Sequence, residues 1–179
     1  MAAIVKPAGV RTFANRRVFW VPTLTEGAPT AAQINAATSV ELTQLLYADG
    51  TGRPGADVTR VNAPRRVGSS TVEESFGIVT RNYGDLLYTE DPQGAPTDAA
   101  NEAREALTPW DEGYLVEFPG MSAEDGDAST AIAAGVKGRY YKAQLGPQID
   151  DQTGDGEGDE FAIRQPVSIK GDPVRFTLV

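Results

Sequence analysis

Glycine and proline break this chain so often that a helical bundle is a poor solution for it. Nineteen Gly and twelve Pro are spread over 179 residues. The apolar residues fall into short runs between the breaks, which suits strands joined by turns. Val18-Phe19-Trp20-Val21 is such a run, β-branched and aromatic, stopped by Pro22. Val40–Leu46, Thr71–Thr80, Gly113–Phe118, Val136–Leu145, Phe161–Arg164, Val167–Lys170 and Val174–Leu178 read as further strands. Pro166 separates two of them, and Leu86-Leu87-Tyr88 extends the hairpin of the 71–80 strand. Two short helices complete the pattern. Thr30 caps Ala31–Ala37, and Asp98 caps Ala99–Leu107, whose alanine stripe suits packing on a sheet. The expected fold is mostly β: an antiparallel sandwich or barrel with one packed helix and a short second one. The length fits a single domain over residues 1–179, with an irregular arm at 1–17 and a long inter-strand loop at 47–70. Within that loop only Val58–Val61 reads as strand, and residues 119–135 read as a surface excursion.

The charge balance narrows the function. The formal net charge is −9, without histidine or cysteine. So acidic a chain is unsuited to gripping nucleic acid through its phosphates. No apolar run approaches the roughly 20 residues needed to span a bilayer, so no membrane role is expected. The opening run AAIVKP is too short for a signal peptide. Without His or Cys there is no Ser-His-Asp or Cys-His machinery and no histidine or thiolate metal site. Glu73 and Glu74 are adjacent, so on a strand they point to opposite faces and cannot flank one bond as a catalytic pair. No enzyme activity and no cofactor are expected.

Two other segments carry charge. DDQTGDGEGDE, residues 150–160, resembles part of a calcium loop; aligned from Asp151, its twelfth position is Ala162 where a bidentate Glu belongs. The match fails at that ligand, and an acidic β-turn is the better reading. Arg53, Arg60, Arg65 and Arg66 concentrate positive charge in the long loop. They are either solvated or a docking surface for an acidic face of a neighbouring copy.

The segment APTAAQINAATSVELTQLL, followed by that loop, resembles the major tail tube proteins of bacteriophages with long, non-contractile tails. Relatives read P-T-x-x-E-I-x-A-G-T-D-V; Pro29, Thr30, Ile34, Ala36, Thr38 and Val40 match, whereas Gln33, Ala37 and Ser39 depart. The central helix, the turn GDGEGDEF and the strands around VSIKGDP follow the family's order. The resemblance implies a β-sandwich with a flanking helix, whose six copies form a ring. Rings stack into a hollow virion tail tube, assembled in the host cytoplasm with other tail proteins, through which DNA passes without specific binding. It makes residues 47–70 the stacking loop and 1–17 an inter-ring arm, with Arg53, Arg60, Arg65 and Arg66 facing the next ring. Glu41, Glu73 and Glu74 are then candidates for an acidic lumen. A single-ring tail terminator or head–tail connector is the alternative within virions, and a calcium-binding β-sandwich module the alternative outside them.

Overall fold

The computed structural model describes residues 14–65, 67, 68, 70–123 and 130–179. In chain order the elements are β1 (Arg16–Val21), α1 (Ala31–Ile34), β2 (Val40–Glu41), β3 (Gly55–Asn62), β4 (Glu74–Asn82) and β5 (Gly84–Thr89). A 3₁₀ turn (Ala99–Asn101) leads into α2 (Glu102–Ala106). There follow β6 (Glu112–Pro119), β7 (Lys137–Leu145), β8 (Ile149–Gln152), β9 (Phe161–Ile169) and β10 (Val174–Thr177). Eight strands make one antiparallel sheet in the order β2-β1-β6-β7-β9-β5, with β8 on β9 and β10 on β7. β9 and β10 lie along the same side of β7, the first against Ala143–Leu145 and the second against Lys137–Tyr140.

The sheet curls back on itself. After β2 the chain reaches a bridge between Leu46 and Tyr88 on β5, which links the two ends of the strand order. The result is a barrel whose interior holds Val18, Trp20, Tyr83, Tyr88, Leu115, Tyr141 and Ile163. The alternate residues, Phe19, Val21, Val116, Phe118 and Tyr140, form a second core on the outer face with Ile34, Ile132, Phe176 and Leu178. β1 is therefore covered on both faces, which explains an apolar run where a half-exposed strand would alternate. α2 closes one end of the barrel: Ala103 and Leu107 join the interior, and the side chains of Gln165 and Gln148 donate to the Leu107 carbonyl at 3.0 and 3.2 Å. These bonds satisfy a carbonyl that the helix end leaves open.

Several expectations change. The strand expected over 40–46 keeps only Val40–Glu41, because the amides of Leu45 and Leu46 both donate to the Leu42 carbonyl and form a turn. That turn carries the chain across the gap in the sheet. α1 has the expected Thr30 cap, reinforced by a capping box with Gln33, but it ends at Ile34. Asp98 does not cap the 3₁₀ turn; its carboxylate instead accepts from the Ala95 amide at 2.8 Å. Leu86–Tyr88 belong to the barrel, paired with β9, rather than to a hairpin extension. The 119–135 excursion ends in the outer core, where Ile132 is buried.

Pro166 does not split β9. Its carbonyl accepts from Gly146, so its missing N–H faces the same side, at the junction where β9 passes from β8 to β7. No ladder bond is lost there. The remainder of the expected long loop is also corrected: Gly55–Asn62 form an eight-residue strand paired with β4 in a separate two-stranded sheet.

Gly113 shows how tightly the interior is filled. A Cβ at this position would lie 2.6 Å from the ring of buried Trp20. Gly113→Ala is expected to force the indole or the β6 backbone to shift, lowering stability by about 1–3 kcal/mol. Denaturant melts of the two proteins check this; equal midpoints would show that the ring has room.

Candidate assembly surfaces

The β3–β4 hairpin stands apart from both cores. Every residue of the two strands is exposed. Its root is fixed by Thr51, whose hydroxyl exchanges hydrogen bonds with the Leu87 amide and carbonyl, and by an Arg81–Asp172 ion pair at 2.7 Å. Gly52 and Gly84 also pack backbone to backbone, where a Cβ on Gly84 would come within 2.9 Å of the Gly52 Cα. Beyond the root the hairpin strands are exposed among the described residues, although they carry large apolar side chains. Phe76 is 77% exposed and Ile78 is 74% exposed, with Val58, Val61 and Val79 also open.

A bulge sets which side chains share a side. Val58 faces Val79, but Arg60 faces Phe76, so β4 holds one extra residue at Gly77–Ile78. Gly suits this position because a Cβ there would meet the Thr59 hydroxyl at 2.6 Å. Directly opposed residues share a face. Val58, Arg60, Phe76 and Val79 therefore lie on one side and Val61 and Ile78 on the other. A regular alternation would have placed Phe76 and Ile78 together.

The charged candidates are distributed unexpectedly. Arg60 and Glu74, assigned above to different surfaces, form one ion pair on the hairpin at 3.4 Å. Glu73 precedes β4, and its carbonyl accepts from Ala63 across the hairpin. Arg65 is exposed in the connection between the strands. Arg66 lies outside the described residues, as do residues 1–13 of the arm expected over 1–17, whose Arg16 and Arg17 instead begin β1. Glu41 is held on β2 by the Arg17 guanidinium, with contacts of 2.7 and 2.5 Å, and accepts from Thr43 as well. Arg53 is not on the hairpin strands; it lines a cavity at the hairpin root.

That cavity, about 820 Å³, opens at the end of the barrel opposite α2. Arg16 and Arg139 line it at the ends of β1 and β7. Between them Glu117 is fully buried, accepting from Tyr83 Oη at 2.6 Å and Arg139 Nε at 2.7 Å, with Arg16 at 3.6 Å. Glu117 shares the inward phase of Leu115 on β6, so an acid within an otherwise apolar strand was the available sequence signal for this network.

Three acids of the 153–160 turn are taken up by hydrogen bonds within the protein. Asp155 accepts from Gln152, Asp159 from Thr153 at 3.0 Å and from the Gly156 amide, and Glu160 from Tyr47. Ile149–Gln152, the start of the expected turn, is strand β8. Among the described residues no group of three or more acidic side chains is arranged to hold a metal ion.

The buried charges give two measurable consequences. Glu117→Ala leaves the Tyr83 hydroxyl and the Arg139 guanidinium without their shared partner, and a loss of about 3 kcal/mol is expected in urea melts. Glu117→Gln, which still accepts a hydrogen bond, is expected to lose less. Burial pushes the Tyr83 hydroxyl well above its ordinary range, raises Tyr88 and takes Tyr141 to about 12. A raised folded value means stability is intact below the unfolded phenol value of about 10 and lost as pH rises through the folded one. Melting temperature should therefore decline above about pH 10. A flat alkaline profile would show that these phenols ionise as freely in the folded protein.

A family model described as phage tail tube protein matches residues 6–179, nearly the whole chain. A search of curated proteins returns no match.

Proposed function

Because the chain belongs to the phage tail tube protein family, a structural component of the virion tail, we propose that it self-assembles into hexameric rings that stack into a tube conducting DNA. The observation that supports stacking is the hairpin Gly55–Asn82. A two-stranded hairpin is marginally stable in water by itself, and this one exposes aromatic and aliphatic side chains on both faces. A second copy covering it would remove that apolar surface from water. Arg53, Arg60 and Arg65, together with Arg66, contribute to the ring-to-ring contact, and the part of the expected arm that precedes β1 adds to it.

The lumen is read as acidic. Net charge of −9 per copy repels a polyanion and lets it slide rather than bind. Glu41 and Glu74 are each paired with an arginine, so Glu73 is the candidate that keeps an unpaired charge among the described residues. Assembly takes place in the host cytoplasm, with other tail proteins at the tube ends.

The test is removal of the hairpin. Replacing residues 55–82 by a short Gly/Ser linker joins two points already close at the Gly52–Gly84 contact. The barrel is expected to fold and melt cooperatively, while negative-stain images that show tubes for the parent protein show none for the variant. Tubes of unchanged length from the shortened protein would overturn the stacking role. Parent protein that makes isolated rings without stacking would favour a terminator or connector.

A further inference from the structure

The barrel has two unlike ends. β6 runs from Glu112, at the end closed by α2, to Pro119 at the cavity. Its eight residues separate the ends by roughly 25 Å. At the closed end Trp110 has φ 72° and is 66% exposed. A positive φ is costly for an aromatic residue. It is held by the Trp110 amide donating to the Leu145 carbonyl at 3.1 Å, and its own carbonyl accepts from Gln144. The backbone thus spends conformational strain on a residue whose ring points away from both cores. The same end carries Glu102, Glu105 and Asp111, which form no ion pair among the described residues.

The open end is the reverse in character. Its cavity joins apolar Leu46, Pro54 and Pro119 with the guanidinium groups of Arg16, Arg53 and Arg139. Arg53 forms no ion pair among the described residues. Resting on the tube reading above, we propose that the closed end of one copy docks on the open end of a second, with the Trp110 indole entering the cavity among Arg16, Arg53 and Arg139. Indole is the best aromatic partner for a cation, and arginine the commonest cation to meet it. Asp111 next to Trp110 and the α2 acids at the same end would face basic groups around the cavity, which fixes direction and register. Complementary patches at opposite ends cannot meet within one copy. Repeated head to tail, they build an open polymer rather than a closed dimer.

Tryptophan fluorescence tests this directly, because the only other Trp, Trp20, is buried in the barrel. Acrylamide quenching is measured on the unassembled protein and on tubes verified by microscopy. Trp110 is expected to be readily quenched before assembly, and to become several-fold less accessible and shift to the blue in tubes. Tubes in which it stays as quenchable as in the free protein would overturn this contact and leave the tube reading intact. Absence of tubes from the parent protein would remove both. Trp110→Gly supplies the second arm, since Gly accepts a positive φ without strain. The variant is expected to melt no lower than the parent, yet to need about tenfold more protein to assemble, the scale of a buried aromatic anchor. Assembly at the parent's concentration would overturn the proposal.

Discussion

Burial of β1 and β6 on both faces, joined by β7 at Tyr140 and Tyr141, is the constraint from which the rest of the architecture follows. Trp20 and Leu115 point into the barrel while Phe19 and Val116 point into the outer core. Each large apolar side chain taken from water contributes about 1.5–3 kcal/mol, and this arrangement gathers such residues on both sides of three strands. Once both faces of these strands are occupied, they present no open apolar face on which β3 and β4 could lie. The hairpin is left outside, anchored at Gly52, Gly84, Thr51 and the Arg81–Asp172 pair, with its strands exposed among the described residues. Its exposure is therefore a consequence of how completely the barrel satisfies itself.

The two barrel ends solve one problem differently. At the α2 end neutral groups meet: Gln165 and Gln148 both donate to the Leu107 carbonyl, Gln165 donates also to the Gly146 carbonyl and Gln148 to that of Arg104, and the Tyr88 hydroxyl donates to Gln165 and accepts from Gln148. At the other end a carboxylate is buried among a phenol and guanidinium groups. A well-packed apolar residue at Glu117 would be no less stable in principle, because the Coulomb attraction of a buried pair is offset by its desolvation. What the acid provides is orientation. It holds Arg139 beside the Tyr141 ring, 5.7 Å from its centroid, so the guanidinium lies at the cavity wall with a defined direction.

Strand composition made the fold class legible, and the alternating residues of β6 and β10 were readable almost to their ends. Closure was not, because it depends on Leu46 meeting Tyr88, two residues whose local sequence holds no record of the pairing. Likewise Pro166 reads locally as a stop, and only the change of partner from β8 to β7 makes it tolerable within β9. The hairpin was half legible. Phe76 and Ile78 were visible as strand residues, but nothing in their spacing distinguishes a strand in the sheet from one standing in water. The ion pair between Arg60 and Glu74 needed the register across a bulge. Trp110 was unreadable as a surface feature, since its exposure follows from a backbone conformation rather than from its neighbours in sequence.

Net charge limits what kind of contact can hold copies of such a chain together. At −9 each, two copies repel at distances beyond contact, and salt shortens that repulsion to about 10 Å at 0.1 M. Long-range attraction therefore cannot supply the adhesion. The attraction must come from apolar area and from local charge pairs, both of which act only at contact. The hairpin offers the first and the unlike barrel ends offer the second. In the proposed assembly any one such contact can remain weak, because joining copies into a ring would make the remaining contacts of a stacking ring effectively intramolecular. On that proposal a subunit would stay separate until several contacts form at once, the condition under which ordered growth outcompetes random association.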